Sequence, residues 1–322
     1  MNQEEYEIQF PIYSTISLDN GFNLLIKDSK KEAIKVIGKV HSLFKRVINF
    51  KYNNQMYSIL QKNLDNGPYS IRVNKEKYSD FSELNINIGD LVVLRNGYLE
   101  IEGVFKLKLD NKNLWSPKKS TIYFNENSMF LLKKNIQAYN QILFTNGNVG
   151  GVKYHYIKKY IQADVDHKVT LIEKELDIRI SNFISGINNS YVNPSKKIFS
   201  LIGFGNGLTP SGDDFLTGFI TALHFIKNTK TMLTFNKVAN ILENNILYTT
   251  DVSKAMIKAS LEGKTRENLI NFVYALFDND SSKLIYSVDK IFSIGSSSGT
   301  DLSVGIIIGL MWGLNILENG GI

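Results

Sequence analysis

Residues 203–214 read Gly203-Phe204-Gly205-Asn206-Gly207-Leu208-Thr209-Pro210-Ser211-Gly212-Asp213-Asp214, and the apolar run Phe215 to Ile226 follows at once. Closely spaced glycines, then hydroxyls and acids, then apolar residues at helical intervals describe a loop that opens a buried helix. Glycine admits positive φ and lets backbone come close to a ligand. A helix start leaves unpaired N–H groups and a partial positive charge, which together favour an anion. The device is repeated at residues 295–301, Gly295-Ser296-Ser297-Ser298-Gly299-Thr300-Asp301, ahead of the apolar run Leu302 to Leu317. Aligning Ser211 with Ser298 gives a shared Ser-Gly-x-Asp and pairs Gly218 with Gly305, Ile220 with Ile307, Ala222 with Gly309 and Leu223 with Leu310. Two copies of one device predict a pseudo-symmetric helix pair, with Gly218, Gly305 and Gly309 allowing close approach behind the loops.

Outward from these loops the chain changes character. Helical periods occupy Phe130 to Phe144, Tyr154 to Ile187, Phe235 to Leu247, Val252 to Leu261, Arg266 to Phe277 and Lys283 to Phe292. Within the second, Ile161, Val165, Val169, Ile172, Leu176 and Ile180 form one stripe, which predicts a single long helix. Residues before about 125 read instead as strands. Val36 to Val40, Val47 to Tyr52 and Tyr69 to Val73 are short and β-branched or aromatic, and Asp65-Asn66-Gly67-Pro68 reads as a turn. Asn96-Gly97 is a hairpin signal between Leu91 to Leu94 and Tyr98 to Ile101. The expectation is an α+β chain: a β-rich, barrel- or sandwich-like N-terminal domain (1–125), then a mostly α-helical domain (126–322) carrying both loops. Trp115-Ser116-Pro117 closes the strand region, and the linker falls near Tyr123 to Ser128.

Composition narrows the function classes. A hydrophobic share of 43% and a charged share of 21% are those of a folded globular chain. With no cysteine among 322 residues, disulfides, zinc-thiolate sites and thiol nucleophiles are excluded. The net charge of +6 is spread over scattered lysine pairs such as Lys30-Lys31, Lys118-Lys119 and Lys158-Lys159, with five arginines and no basic run interleaved with aromatics. That is a solvated surface rather than a nucleic-acid footprint. The polar, acidic stretch Met1 to Phe10 is no signal peptide, and Leu302 to Leu317 falls short of a membrane span, so a cytoplasmic location is expected. His41, His155, His167 and His224 lack metal-ligand spacing, so no protein-held metal centre is expected.

The two loops carry the candidate chemistry. They are not a Walker loop, since no Gly-Lys-Ser/Thr follows, nor a dinucleotide fingerprint, since no βαβ pattern follows. The backbone of Gly205, Asn206 and Gly207 and of Ser297, Ser298 and Gly299, with Gly212 and the hydroxyls of Thr209, Ser211 and Thr300, suits phosphate, carbamoyl phosphate or a small carboxylate. Thr250 and Ser253 place further hydroxyls at a third helix start, where an ordinary N-cap is the plain account. Asp213, Asp214 and Asp301 are the candidate catalytic acids. Ser211-x-x-Asp214 and Ser298-x-x-Asp301 also fit a capping box. The alternative is that these acids hold an NH2 group, act as a general base or carry Mg2+, with no other cofactor expected. Asp213 faces Thr300 in the alignment, which makes it the leading candidate for chemistry rather than capping.

The stretch Gly203 to Gly218 resembles the Gly-x-Gly-x-Gly-Leu-Thr-Pro-Ser-Gly-Asp-Asp-Phe signature of the AllH-like family. Thr250-x-x-Ser253, with Ala259 and Gly263, is similar to that family's middle motif, and Gly295 to Leu310 to its ending. The N-terminal strands, with His41-Ser42 and Trp115-x-Pro117, are similar too. The resemblance implies a subunit of oxamate carbamoyltransferase, which exchanges oxalurate plus phosphate with oxamate plus carbamoyl phosphate in purine and allantoin breakdown. It implies a hetero-oligomer with the other carbamoyltransferase subunits. The alternatives are a non-catalytic, anion-binding regulatory or scaffolding subunit, or a protein that binds nucleotide or acyl-CoA phosphates.

Overall fold

The computed structural model describes residues 10–29, 34–74, 80–109, 113–117, 122, 124–188, 194–226 and 228–314. Residues 1–9 of the polar N-terminal stretch, Lys30-Lys31, Lys118-Lys119, Tyr123 of the linker and residues 315–317 of the last apolar run lie outside them. The chain divides into two compact units, Met1–Pro117 and Lys118–Ile322.

The first unit holds strands β1 (Ile12–Asp19), β2 (Ile34–Leu43), β3 (Val47–Tyr52), β4 (Gln55–Gln61), β5 (Ser70–Asn74), β6 (Leu91–Arg95), β7 (Tyr98–Ile101), β8 (Phe105–Lys108) and β9 (Leu114–Trp115), with helix α1 (Asn20–Ser29) after β1. Eight of them pair in the circuit β1-β5-β4-β3-β2-β6-β7-β8 and back to β1, so the barrel alternative holds and the sandwich does not. Most pairs are antiparallel, but β4 with β5 and β1 with β8 are parallel. Two tight turns set the register. Asn96-Gly97 has φ of 48° and 82°, and Asn53-Asn54 has 48° and 61°, the mirror-image turn that matches strand twist. Alternation then sends Ile37, Ile48, Ile59, Ile71, Leu99 and Leu107 into a core with no exposed surface. From α1, Phe22 stands edge-on to Phe50 and Tyr57 at that core.

The second unit is helical: α2 (Glu126–Asn146), α3 (Lys153–Tyr156), α4 (Leu171–Asn188), α5 (Ser195–Phe199), α6 (Ser211–Phe225), α7 (Thr229–Asn245), α8 (Asp251–Leu261), α9 (Glu267–Ala275), α10 (Ser281–Phe292) and α11 (Ser298–Gly313). Its centre is the pair α6 and α11. Every residue of α11 from Gly299 onward is buried, as is every residue of α6 except His224. The glycines explain how they fit. A Cβ on Gly218 would lie 2.1 Å from the Leu302 carbonyl oxygen, and one on Gly305 would lie 2.2 Å from that of Phe215. Phe215 and Leu302 are themselves partners in the repeat alignment, so the contact is reciprocal about a pseudo-two-fold axis. Among the described residues no helix is long and apolar enough to cross a membrane.

The single long helix expected from Tyr154 to Ile187 is not formed. After α3 comes one π-helical turn, Ile157–Ile161, which stops at Gln162 in the left-handed region. Residues 162–170 are non-helical, so Val165 and Val169 belong to no helix, while Leu176 and Ile180 pack inward from α4. The break has a local cause. Glu173 N–H donates to Thr170 Oγ1 at 3.2 Å and Thr170 N–H to Glu173 Oε2 at 2.9 Å, a reciprocal cap that starts a new helix. Thr170→Ala is therefore expected to cost about 1–2 kcal/mol, read as a lower urea midpoint at unchanged slope.

Candidate functional site

The two loops meet. Thr209 Oγ1, in the loop before α6, lies 2.8 Å from Ser298 Oγ at the first residue of α11. The glycines place the loop backbone: Gly203, Gly205, Gly207 and Gly295 all have positive φ, at 69°, 128°, 87° and 61°. The tips Asn206, Gly207 and Ser296 are exposed, Gly205, Thr209, Ser297 and Ser298 are half-buried, and Ser211 is buried. Gly212 and Gly299 fit the repeat again, since a Cβ on either would run into a carbonyl oxygen, that of Leu201 or of Ile291. The start of α8 joins them. Thr250 caps that helix, accepting from Ser253 N–H at 3.1 Å, and donates its own hydroxyl proton to the carbonyl oxygen of Leu208. Ser253 is buried, with its hydroxyl beside the Asp213 carboxyl.

The three acids behave differently. Asp213 is fully buried and both its oxygens are engaged: Oδ1 accepts from Gly203 N–H at 2.9 Å and Oδ2 from the Thr249 hydroxyl. Its partner in the repeat, Thr300, does the same kind of work, accepting from Asn148 N–H at 3.0 Å. Both positions anchor the backbone of a neighbouring segment. Asp214 and Asp301 do not make the capping-box bond. Neither helix start has a side-chain cap, and Pro210 and Ser297 stand at the N-cap positions. Asp214 is buried with the Ser298 and Thr209 hydroxyls beside its carboxyl, and Asp301 is buried with Oδ1 on Val152 N–H at 2.7 Å and the Ser211 and Ser297 hydroxyls beside its carboxyl.

Burial dominates the electrostatics. Loss of water drives the Asp214 carboxyl well above the ordinary range, and the charge of Asp301 adds to this, against the lowering effect of the Ser298 and Thr209 hydroxyls. Asp301 is pushed up to about 7 by burial, opposed by Val152 N–H and by the hydroxyls of Ser211 and Ser297. Each acid draws on hydroxyls from both halves, Asp214 on Ser298 and Thr209 and Asp301 on Ser211 and Ser297. Asp213 is also raised by burial, with Gly203 N–H and Thr249 pulling it down.

A fourth segment reaches the site without having stood out in the sequence. Gly147 to Val152 links α2 to α3, and a Cβ on Gly151 would lie 2.1 Å from Asp301 Oδ1, so only glycine lets this backbone pass. Next to it Lys153 is buried, donates to the Gly147 carbonyl oxygen at 2.7 Å and is lowered by desolvation. The signal was three glycines within five residues between two helices. On α3, His155 is also buried, with Nδ1 2.8 Å from Asp177 Oδ1 and Nε2 unpartnered. The His155 hydrogen bond comes first among the effects that hold Asp177 down at about 2, and Lys158 at 2.6 Å adds to it. His224, half-buried, is satisfied, its Nε2 2.8 Å from the Ser260 carbonyl oxygen. Among the described residues no group of three or more His, Cys, Asp or Glu is gathered as a metal would need.

A family model described as oxamate carbamoyltransferase subunit AllH matches residues 201–310, and a second, the AllH family N-terminal domain, matches residues 14–114. The chain belongs to the AllH family. No solved structure matches it. The first AllH match opens two residues before Gly203 and runs through both loops, the start of α8 and most of α11. The N-terminal AllH match covers the barrel from within β1 to the start of β9. By family the chain is thus of the enzyme-subunit kind, with one match centred on the helix pair whose starts converge.

Proposed function

We propose that this chain is the subunit of an oxamate carbamoyltransferase-like enzyme that holds phosphate, the carbamoyl group or the small carboxylate at the paired starts of α6 and α11. The observation that carries this reading is the 2.8 Å contact between Thr209 and Ser298, which brings two donor-rich helix starts to one place. In the reaction a phosphate oxygen bonds to the carbamoyl carbon of oxalurate, the bond from that carbon to the oxamate nitrogen breaks, and the nitrogen gains a proton. The first step needs donors around a developing oxyanion, which the loop N–H groups and the hydroxyls of Thr209, Ser211, Ser297 and Ser298 offer. The last needs an acid that both gives and regains a proton near neutrality, and Asp301, at about 7, is suited to it. Asp213, with both oxygens tied to the chain, is assigned the anchoring of the Gly203 loop.

The test is binding followed by turnover. In thermal-shift and calorimetric titrations of the full chain, phosphate, carbamoyl phosphate and oxalurate are expected to stabilise the protein. The double variant Thr209→Ala, Ser298→Ala is expected to weaken binding by roughly tenfold or more, two hydrogen bonds to an anion being lost. An unchanged affinity would place the ligand elsewhere. Assaying oxamate carbamoylation by this chain alone and with its companion subunits separates a catalytic subunit from one that only binds.

A further inference from the structure

The starts of α6 and α11 gather acids and no cation. Asp213, Asp214 and Asp301 are all buried there, and among the described residues only N–H groups, hydroxyls and other acids act on them. Helix starts and hydroxyls carry partial charges, so an anion seated beside three carboxyls lacks a full positive charge to meet it. One stands close by. Lys153, 3% exposed, is the only buried lysine or arginine among the described residues. It directly follows Val152, whose N–H holds Asp301. Its ammonium donates to a single acceptor, the neutral carbonyl oxygen of Gly147 at 2.7 Å. The N–H of that same peptide group, carried by Asn148, donates to Thr300 Oγ1 at 3.0 Å in the first turn of α11. These two bonds and the size of a peptide group leave at most about 8 Å between the ammonium and the Thr300 hydroxyl. The one charge that favours the ammonium is that of Asp166, whose side chain is 88% exposed. A buried ammonium with one neutral acceptor and no ion pair is costly. A clamp on the Gly147 carbonyl would need only a neutral donor.

We infer that Lys153 is the cation of the anion site, its ammonium exchanging the Gly147 carbonyl for the phosphate or carboxylate seated on the two loops. This rests on the anion-cradle reading and adds a residue to it. Lysine suits such an exchange. Its stem is flexible and its three donors rotate, and a bond to a charged oxygen outweighs one to a neutral carbonyl. Burial strengthens the pairing, because attraction between opposite charges grows as water is excluded. The neighbouring acids do not oppose it, since burial favours the protonated form of both Asp214 and Asp301.

Two substitutions separate charge from clamping. Lys153→Gln keeps a donor for the Gly147 carbonyl and removes the charge, whereas Lys153→Met keeps the length and removes both. In calorimetric titrations of the full chain with inorganic phosphate at low ionic strength, each is expected to bind about tenfold or more weakly than wild type. Without ligand, Lys153→Met is expected to melt no lower than wild type, a buried charge lacking an ion pair having been removed. Wild-type affinity in Lys153→Gln overturns the inference and leaves the cradle standing, the lysine then being a clamp on the Gly147–Asn148 peptide. So does a Lys153→Met chain that melts lower yet binds phosphate as wild type does. If neither phosphate nor carbamoyl phosphate binds the wild-type chain, the cradle itself is refuted, and this inference with it. Crystals of the wild-type chain grown with phosphate decide the matter even where a variant does not fold. The ammonium is expected within about 3.2 Å of an anion oxygen, and an ammonium still on Gly147 beside a bound anion overturns the inference.

Discussion

Gly305→Ala is expected to destabilise the helical unit by about 3 kcal/mol or more, lowering its thermal midpoint by roughly 6–12 °C for a unit of this size. The new methyl would sit 2.2 Å from the Phe215 carbonyl oxygen and 3.0 Å from the Phe219 nitrogen, both backbone atoms that no rotamer change can move. Separating the helices is no escape, because α6 and α11 are covered on their other faces as well. Gly218→Ala meets the same obstacle at the Leu302 carbonyl oxygen and should cost a similar amount. Gly207→Ala is the control. Its Cβ would meet no atom within 4 Å, so only the positive φ of 87° is penalised, by about 1–2 kcal/mol. Thermal melts of the three variants rank these costs. Equal losses for Gly207 and Gly305 would show that the helix crossing is not as tight as described.

Asp301→Asn is expected to make the protein more stable in mild alkali and to flatten its pH profile. The folded-state pKa of Asp301 is about 7, above the ordinary 3.8 of an unfolded aspartate. The folded chain therefore binds this proton more tightly than the unfolded chain. The resulting stability is fully present below about 4 and is lost as pH rises towards 7, a change on the order of a few kcal/mol. Asp214, raised in the same direction, steepens the decline, and Glu173 adds its charge to Asp301. Asparagine keeps the acceptor for Val152 N–H but cannot ionise. Wild type and variant should melt at similar temperatures near pH 4.5 and diverge by pH 8, with the variant higher. Parallel curves across that range would show that Asp301 titrates normally. In the assembled enzyme the same substitution is expected to lower turnover by about 100-fold, as loss of a general acid does.

The helix pair could be anticipated because it was written twice. Glycine before hydroxyl before acid, then glycine spaced along an apolar run, leaves few other structures, and the repeat supplied the pairing. The Asn96-Gly97 hairpin was equally direct, since few other dipeptides accept two positive φ angles so readily. Side-chain roles within the loops were less legible. Ser211-x-x-Asp214 has the spacing of a capping box, but spacing does not say whether Asp214 turns back to the helix start or inward against the neighbouring helix. A linear alignment sets the Asp213 carboxylate against the Thr300 hydroxyl. In three dimensions a carboxylate and a hydroxyl each accept a backbone N–H and hold a loop. The stripe from Ile161 to Ile180 mimics one helix because a helical period runs by coincidence across a connection, and the Thr170–Glu173 cap inside it carries the contrary signal. The Gly147 to Val152 segment has no copy elsewhere and so lacked the repetition that exposed the other loops.

The barrel has one consequence for assembly. Both sides of β1 are occupied, by β5 along one and by β8 and then β9 along the other, and the circuit of eight strands has no terminal member. Among the described residues the short strand β9, which pairs with β1 alone, is the one that stands at an edge. A companion chain that docks on the eight-strand circuit itself would read its outward side chains and turns, a surface that can change residue by residue without disturbing the hydrogen-bonded cylinder beneath.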